Sequence, residues 1–453
     1  MRAGAATLAL LVAGAAGCGQ NVAAKDPAAD KGPKTPFAPA QMAQAWKTPP
    51  ATGDSVLATL LGTWRTKTAY YIGRGTGVEI VDPATGSALG TVTPPQPDMH
   101  PCAMTEGLSK TGLGAIAWIK GDPLSPRASC DQVSLIDTRK GSGIVWTMQV
   151  AAVPVNNKPM TSDSAALSFV DGDVLAVMTP NTVVGLRPDK KVAWTWTSPG
   201  APLYVLNTEM SARGDRITVM LSQEVTGTAR WNRWVTTLDA AKGQQVNPSA
   251  VPMTVPEDGR VKLVGNDAPA ALIMPDGLAH NPPPPELVVF GRDGSVARRF
   301  PLATTVGPVL LKEMSRRDPG ARFNIAFDAK ATTAYVAAGD SMSLTAPTSV
   351  VAYDMATGTQ KWAQSVGIAT TPRFLGTDTD AVYVLGARGT TDMPVRAYGA
   401  KTGTPTEIGK VATPDSLLGF SSLVVDYKDN SLVVVENGVG AVFGALAFRP
   451  SGT

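Results

Sequence analysis

Few side chains in this 453-residue sequence combine a reactive type with a useful spacing. His100 and His280 are the two histidines, in His-Pro-Cys and Ala-His-Asn-Pro, and both read as members of Pro-rich loops. A zinc site needs several ligands converging at short spacing, so both are expected to be structural or solvent-facing. No Gly-x-Ser-x-Gly elbow marks a serine nucleophile. Asp171/Asp173 and Asp378/Asp380 offer carboxylates to calcium, but that ion takes roughly six to eight oxygens, and polar turns are the expected use of these pairs. Gly73-Arg-Gly-Thr-Gly77 is glycine-rich without a following helix, and a phosphate cradle needs a helix N-terminus or a comparable set of amides. It reads as a tight hairpin.

Composition sets the frame for these residues. Net charge is +3 with 17% charged residues, too mild a surplus to propose nucleic acid or an anionic membrane surface as the main partner. The 45 Gly and 37 Pro point to many turns and few long helices. Residues 1–17 read as a signal peptide, with one Arg, an apolar run from Ala5 to Ala16 and small residues before Cys18. Ala15-Ala-Gly-Cys18 resembles a bacterial lipobox, departing from it at Ala15, where Leu is usual. Lipidation of Cys18 is therefore expected, with simple secretion as the alternative. Residues 18–40, rich in Ala, Pro, Lys and Asp, form the lipidated cysteine and a disordered tether that cannot bury a core. Cys102 and Cys130 remain. In an exported chain the pair is most simply a structural disulfide, two free buried thiols being the alternative.

The elements that position everything else come from a repeat. Ser349-Val-Val-Ala-Tyr-Asp354-Met-Ala-Thr-Gly358-Thr-Gln-Lys-Trp362 reads as a β-hairpin: Asp opens the turn by bonding nearby amides, and Gly closes it because it takes positive φ without penalty. The same turn recurs at Asp82/Gly86, Asp137/Gly141, Asp239/Gly243 and Gly399/Gly403. Looser copies run from Arg187 to Lys191, from Gly291 to Gly294 and from Arg449 to Gly452. A β-rich period of roughly 50 residues is the signature of propeller blades, each a four-stranded antiparallel sheet. Residues 41–453 are thus expected to be an all-β, eight-bladed β-propeller, with seven blades the alternative because the copy at Arg187 is degenerate. The last copy leaves no room for an outer strand. Met42-Ala-Gln-Ala-Trp46-Lys47 is the expected donor, placing Trp46 as Trp362 is placed in its own copy.

Ala352-x-Asp354-x-x-Thr357-Gly358-x-x-x-Trp362 resembles the repeat of the pyrroloquinoline quinone (PQQ)-type propellers, in which hairpin Trp and small residues dock between neighbouring blades. The layout of leader, Cys18, tether and propeller is similar to exported lipoproteins of high-GC Gram-positive bacteria. The resemblance implies blade-docking, structural roles for Asp82, Gly86, Asp137, Gly141, Asp239, Gly243, Asp354, Gly358 and Trp362. The quinone-dependent alcohol dehydrogenases of this superfamily use an adjacent Cys-Cys pair, which this chain lacks, so neither that activity nor a cofactor is expected. A non-catalytic scaffold on the outer face of the cytoplasmic membrane is expected instead, monomeric and serving an envelope protein or cell-wall component. The alternative is a small-ligand or quinone-binding sensor or redox enzyme. Arg316, Arg317 and Arg322, in the longest interval between copies, are a candidate partner surface.

Overall fold

Tyr70–Arg74, Ala270–Met274, Thr333–Ala338, Ala381–Leu385 and Ser431–Glu436 are buried at every position. A strand with one wet face alternates, whereas a continuous apolar run needs cover on both faces. Stacking whole sheets face to face supplies that cover. The computed structural model describes residues 40–50, 60–122, 125, 128–140, 143–150, 165–170, 173–198, 209–224, 231–247, 249–254, 259–264, 269–275, 283–303, 325–328, 330–339, 347–368, 372–386, 392–412, 423–428, 431–436 and 444–450.

The first strand, β1 (Ala40–Lys47), belongs to the last blade. Blade 1 is β2 (Leu60–Arg65), β3 (Tyr70–Arg74), β4 (Gly77–Val81) and β5 (Ala88–Thr91). Blade 2 is β6 (Met99–Met104), β7 (Leu113–Lys120), β8 (Cys130–Asp137) and β9 (Ile144–Gln149). Blade 3 is β10 (Ala166–Val170), β11 (Val174–Thr179), β12 (Thr182–Leu186) and β13 (Val192–Thr197). Blade 4 is β14 (Glu209–Arg213), β15 (Arg216–Glu224), β16 (Trp231–Asp239) and β17 (Val251–Met253). Blade 5 is β18 (Arg260–Val264), β19 (Ala270–Met274), β20 (Glu286–Phe290) and β21 (Val296–Pro301). Blade 6 is β22 (Ile325–Phe327), β23 (Thr333–Ala338), β24 (Pro347–Asp354) and β25 (Gln360–Ile368). Blade 7 is β26 (Arg373–Thr377), β27 (Ala381–Leu385), β28 (Asp392–Gly399) and β29 (Pro405–Ala412). Blade 8 is β30 (Leu423–Lys428), β31 (Ser431–Glu436) and β32 (Ala445–Pro450), completed by β1.

Pairing within each blade is antiparallel, and six blades are separate four-stranded sheets. Blades 7 and 8 share one eight-stranded sheet because β1 pairs with both: parallel to β29 through Ala40↔Gly409 to Met42↔Val411, and antiparallel to β32 through Met42↔Pro450 to Lys47↔Leu446. The expected N-terminal closure is present, and the copy at Arg187 builds a full blade, which makes eight. The inner strands touch around the ring, β2 with β6, β10 with β14, β22 with β26 and β26 with β30. Apolar clusters fill the seams. One of them joins Trp46, Leu60, Tyr70 and Ile72 to Val433, Val435 and Ala447, which seals blade 8 against blade 1. Helix is limited to one short 3-10 turn, Thr138–Lys140, among the described residues, and no described helix is long and apolar enough to cross a membrane.

Candidate functional site

The repeat's aspartates hold the turns from third to fourth strand. Asp82 Oδ1 accepts from the amides of Ala84 (2.6 Å) and Thr85 (2.9 Å). Asp239 does the same for Ala241 and Lys242, both at 3.0 Å, and Asp354 for Ala356 (3.0 Å) and Thr357 (2.8 Å). The amide of Thr85 and that of Thr357 are the leading reasons the Asp82 and Asp354 carboxyls are held below the usual carboxylate range. Gly86, Gly243 and Gly358 close these turns at φ 72°, 65° and 75°. Asp137 is buried; its Oδ1 accepts from the Arg139 amide at 3.1 Å, and both its oxygens also accept from the Arg139 guanidinium, at 2.8 and 2.9 Å. Gly141 lies outside the described residues. Blades 3 and 5 use a shorter turn, in which the left-handed residues are Lys190 (φ 69°) and Gly294 (φ 76°). The glycine position of the Arg187 copy therefore falls on Lys190, not on Lys191.

In several blades an aromatic on the fourth strand docks onto the next blade's turn. Trp46 Nε1 donates to the Pro83 carbonyl (3.0 Å), Trp146 to Pro188 (2.8 Å), Trp194 to Ala240 (2.9 Å) and Trp362 to Ala400 (3.1 Å). The turn glycine must lack a side chain, since a Cβ on Gly86, Gly243 or Gly403 would meet the indole at 2.7, 2.4 or 2.5 Å. Phe300 serves blade 5 in the same way, against Gly358. In blade 1, Gly90 occupies the pairing position that Trp362 holds in blade 6. Trp64, on the first strand, serves that seam instead. Its Nε1 donates to Thr105 O at 2.8 Å, and its ring lies over Gly114. Sequence reasoning missed Trp64 because the repeat places its docking aromatic on the fourth strand, not the first.

Cys102 and Cys130 form the expected disulfide, with Cα atoms 6.1 Å apart, inside the apolar cluster between blades 2 and 3. Cys102 is the extra residue of a bulge, since Pro101 pairs with Trp118 and Ala103 with Ala117. His100 sits in strand β6, not in a loop as the neighbouring prolines suggested, because the bulge lets Pro101 lie in a first strand. Gly77 opens the second arm of the expected hairpin, paired with Arg74. Asp378 accepts from the amides of Asp380 and Ala381, both 2.8 Å, so that acidic pair is a turn, as expected. Cys18, Asp171, His280, Arg316, Arg317 and Arg322 lie outside the described residues.

The inner strands bring together charges that lie far apart in sequence. Glu209 on β14 reaches blade 5, where its Oε2 accepts from the Leu263 amide at 2.8 Å. Burial pushes the Glu209 carboxyl up, opposed by Lys262, the Leu263 amide and Arg233. At the closing seam Arg65 lies 4.0 Å from Asp426 and donates to Ser431 O at 3.1 Å. Arg74, fully buried, donates to the carbonyls of Glu436 (2.8 Å) and Gly444 (3.3 Å). The arginines brace the seam, and the raised pKa of Glu209 lets that buried carboxyl hold a proton. Among the described residues no three His, Cys, Asp or Glu side chains converge as metal ligands, and the two thiols nearest each other are spent on an apolar disulfide. Among the described residues the donor set does not fit calcium-assisted quinone chemistry.

No family model and no curated protein matches the chain. Solved structures do. The quinohemoprotein alcohol dehydrogenase ADHIIG from Pseudomonas putida HK5 is similar with a TM-score of 0.51 and 13% identity, over 92% of this chain and 77% of that one. The likeness is one of fold. A quinohemoprotein alcohol dehydrogenase from Comamonas testosteroni gives 0.48 and 11%, over 90% and 76% of the two chains. The computationally designed Ika8 protein gives 0.47 and 13%, over 90% and 99%.

Proposed function

We propose that this chain is a non-catalytic, exported binding module, held by a lipid on Cys18 to the outer face of the cytoplasmic membrane and presenting its rim to an envelope protein or cell-wall component. The observation that carries the reading is how the motif residues are used. Asp82, Asp239 and Asp354 hold their own turns, and Trp46, Trp194 and Trp362 hold the next blade's carbonyl. The chemistry-bearing types of the repeat thus build a rigid ring, and a rigid ring is suited to presenting loops. The Cys102–Cys130 disulfide supports export, since such bonds persist in oxidising compartments. The second reading, a small-ligand or quinone-binding sensor or redox enzyme, draws on Glu209 beside Lys262 and on the quinohemoprotein neighbour's fold.

Crosslinking in native membranes followed by mass spectrometry separates the two. The scaffold reading expects one recurrent envelope partner and a chain that a high-salt wash releases from the membrane fraction only when Cys18→Ala is introduced. Added quinone with calcium should leave the melting temperature unchanged. A clear upward shift with cofactor absorbance would establish the second reading in its place.

A further inference from the structure

Large apolar side chains left exposed are informative when they cluster. Leu89 (55%), Val145 (49%), Val192 (48%) and Val296 (41%) are the exposed ones among the described residues. All four lie on fourth strands, β5, β9, β13 and β21, and the first three fall on consecutive blades. Next to them stand the turns of blades 2 and 3. These carry Arg139, Lys140, Arg187, Lys190 and Lys191, all exposed, with the side chains of Lys140 and Lys191 79% and 75% accessible. Trp146 Nε1 on Pro188 O, at 2.8 Å, fixes the two blades to each other, so the patch is rigid. Among the described residues of the blade 2 and blade 3 turns three carboxylates oppose the five cations, and the blade 1 turn on the same face adds Asp82, with Arg449 acting on it. Asp137 is buried against Arg139, Asp189 pairs with Lys191 at 2.9 Å, and Asp173 acts on Arg139 from blade 3. The patch keeps a positive surplus.

We propose that this face of blades 1–3, the side carrying the third-to-fourth-strand turns, docks onto anionic phospholipid headgroups. Cations beside exposed aliphatic residues match the headgroup and acyl boundary, where each kind of side chain gains; a sugar–phosphate polymer rewards only the cations. Chain direction agrees. Met42 pairs with Pro450, the last residue of β32, so the segment before Ala40 joins the ring on the turn side. Read as a flexible tether, the segment between Cys18 and Ala40 would average roughly 25 to 30 Å, short enough to keep that face near the bilayer. The inference rests on the anchored reading of the chain and adds the surface that the anchor would hold down.

The test uses the full chain as Cys18→Ser, so that no acyl group contributes, with phosphatidylcholine vesicles prepared with and without phosphatidylglycerol. Binding is expected to require phosphatidylglycerol and to weaken as salt rises. The triple variant Lys140→Glu/Arg187→Glu/Lys191→Glu should lose binding on the order of tenfold or more, and Lys140→Gln/Lys191→Gln, which threatens folding least, should lose part of it. Leu89→Ser/Val145→Ser/Val192→Ser should weaken binding with every charge kept. Unchanged binding in the charge variants overturns the proposal. So does full competition by soluble polyphosphate with no effect of the serine variant, which would identify a polyanion reader. Because the acyl site is absent, failure here is distinct from failure of anchoring, which the Cys18→Ala fractionation reports.

Discussion

Trp362 joins two blades through one side chain. Its ring is 7% exposed, its Nε1 donates to Ala400 O, and it lies 6.3 Å from the Tyr398 ring and 5.8 Å from Tyr335. Trp362→Ala removes the packing and leaves the carbonyl without its donor, so it should cost about 3–5 kcal/mol in denaturant unfolding. Gly403→Ala should destabilise from the other side of the contact, since its Cβ would fall 2.5 Å from the indole at a φ of 70°. The turn aspartates give a pH signature. Asp82 and Asp354 have folded-state pKa values lowered by turn amides, so their contribution is present above the unfolded value of about 3.9 and is lost as pH falls through the folded ones. The melting temperature should therefore drop below about pH 4, and Asp354→Asn should flatten part of that drop.

Among the elements, β1 carries the most consequence for its length. It covers β29 on one side and β32 on the other, so its loss exposes two strand edges and opens the ring. Deleting residues 41–53 should lower the melting temperature sharply and promote association, measured by differential scanning and light scattering. The donor strand was legible because Met42–Lys47 repeats the outer-strand pattern ending in Trp. Its parallel pairing with β29 was not, because a register between Ala40 and Gly409 has no local signature. The turns were legible wherever Asp opens and Gly closes. The copy at Arg187 was blurred because its turn is one residue shorter and places Lys190 in the left-handed conformation. The disulfide could be read from compartment and cysteine count, whereas Glu209 meeting Leu263 could not, since only the stacking of blades 4 and 5 brings them together.

At the scale of the whole molecule the question is what keeps the eight blades closed. The chain runs from blade to blade, and among the described residues the ring shuts through the pairing of β1 with β32 and the contacts of blade 8 on blade 1. That seam is held by arginines reaching backbone carbonyls: Arg65 to Ser431, Arg74 to Glu436 and Gly444, and Arg449 to Pro83 at 2.9 Å. Trp46 donates to the same Pro83 carbonyl. Burial lowers the Arg74 pKa, yet the guanidinium stays charged and makes charge-assisted hydrogen bonds to the blade 8 carbonyls. Arg74→Met should therefore cost about 1–3 kcal/mol by removing charge-assisted hydrogen bonds across the seam. A double-mutant cycle locates the effect. Arg74→Met and Trp46→Ala share one seam, so their coupling should exceed about 0.5 kcal/mol, while Arg74→Met and Trp362→Ala, on seams with no common partner, should add within that margin. Additivity in the first pair would show that the arginine and the indole brace blade 8 independently. Coupling in the second would show that strain spreads around the whole ring.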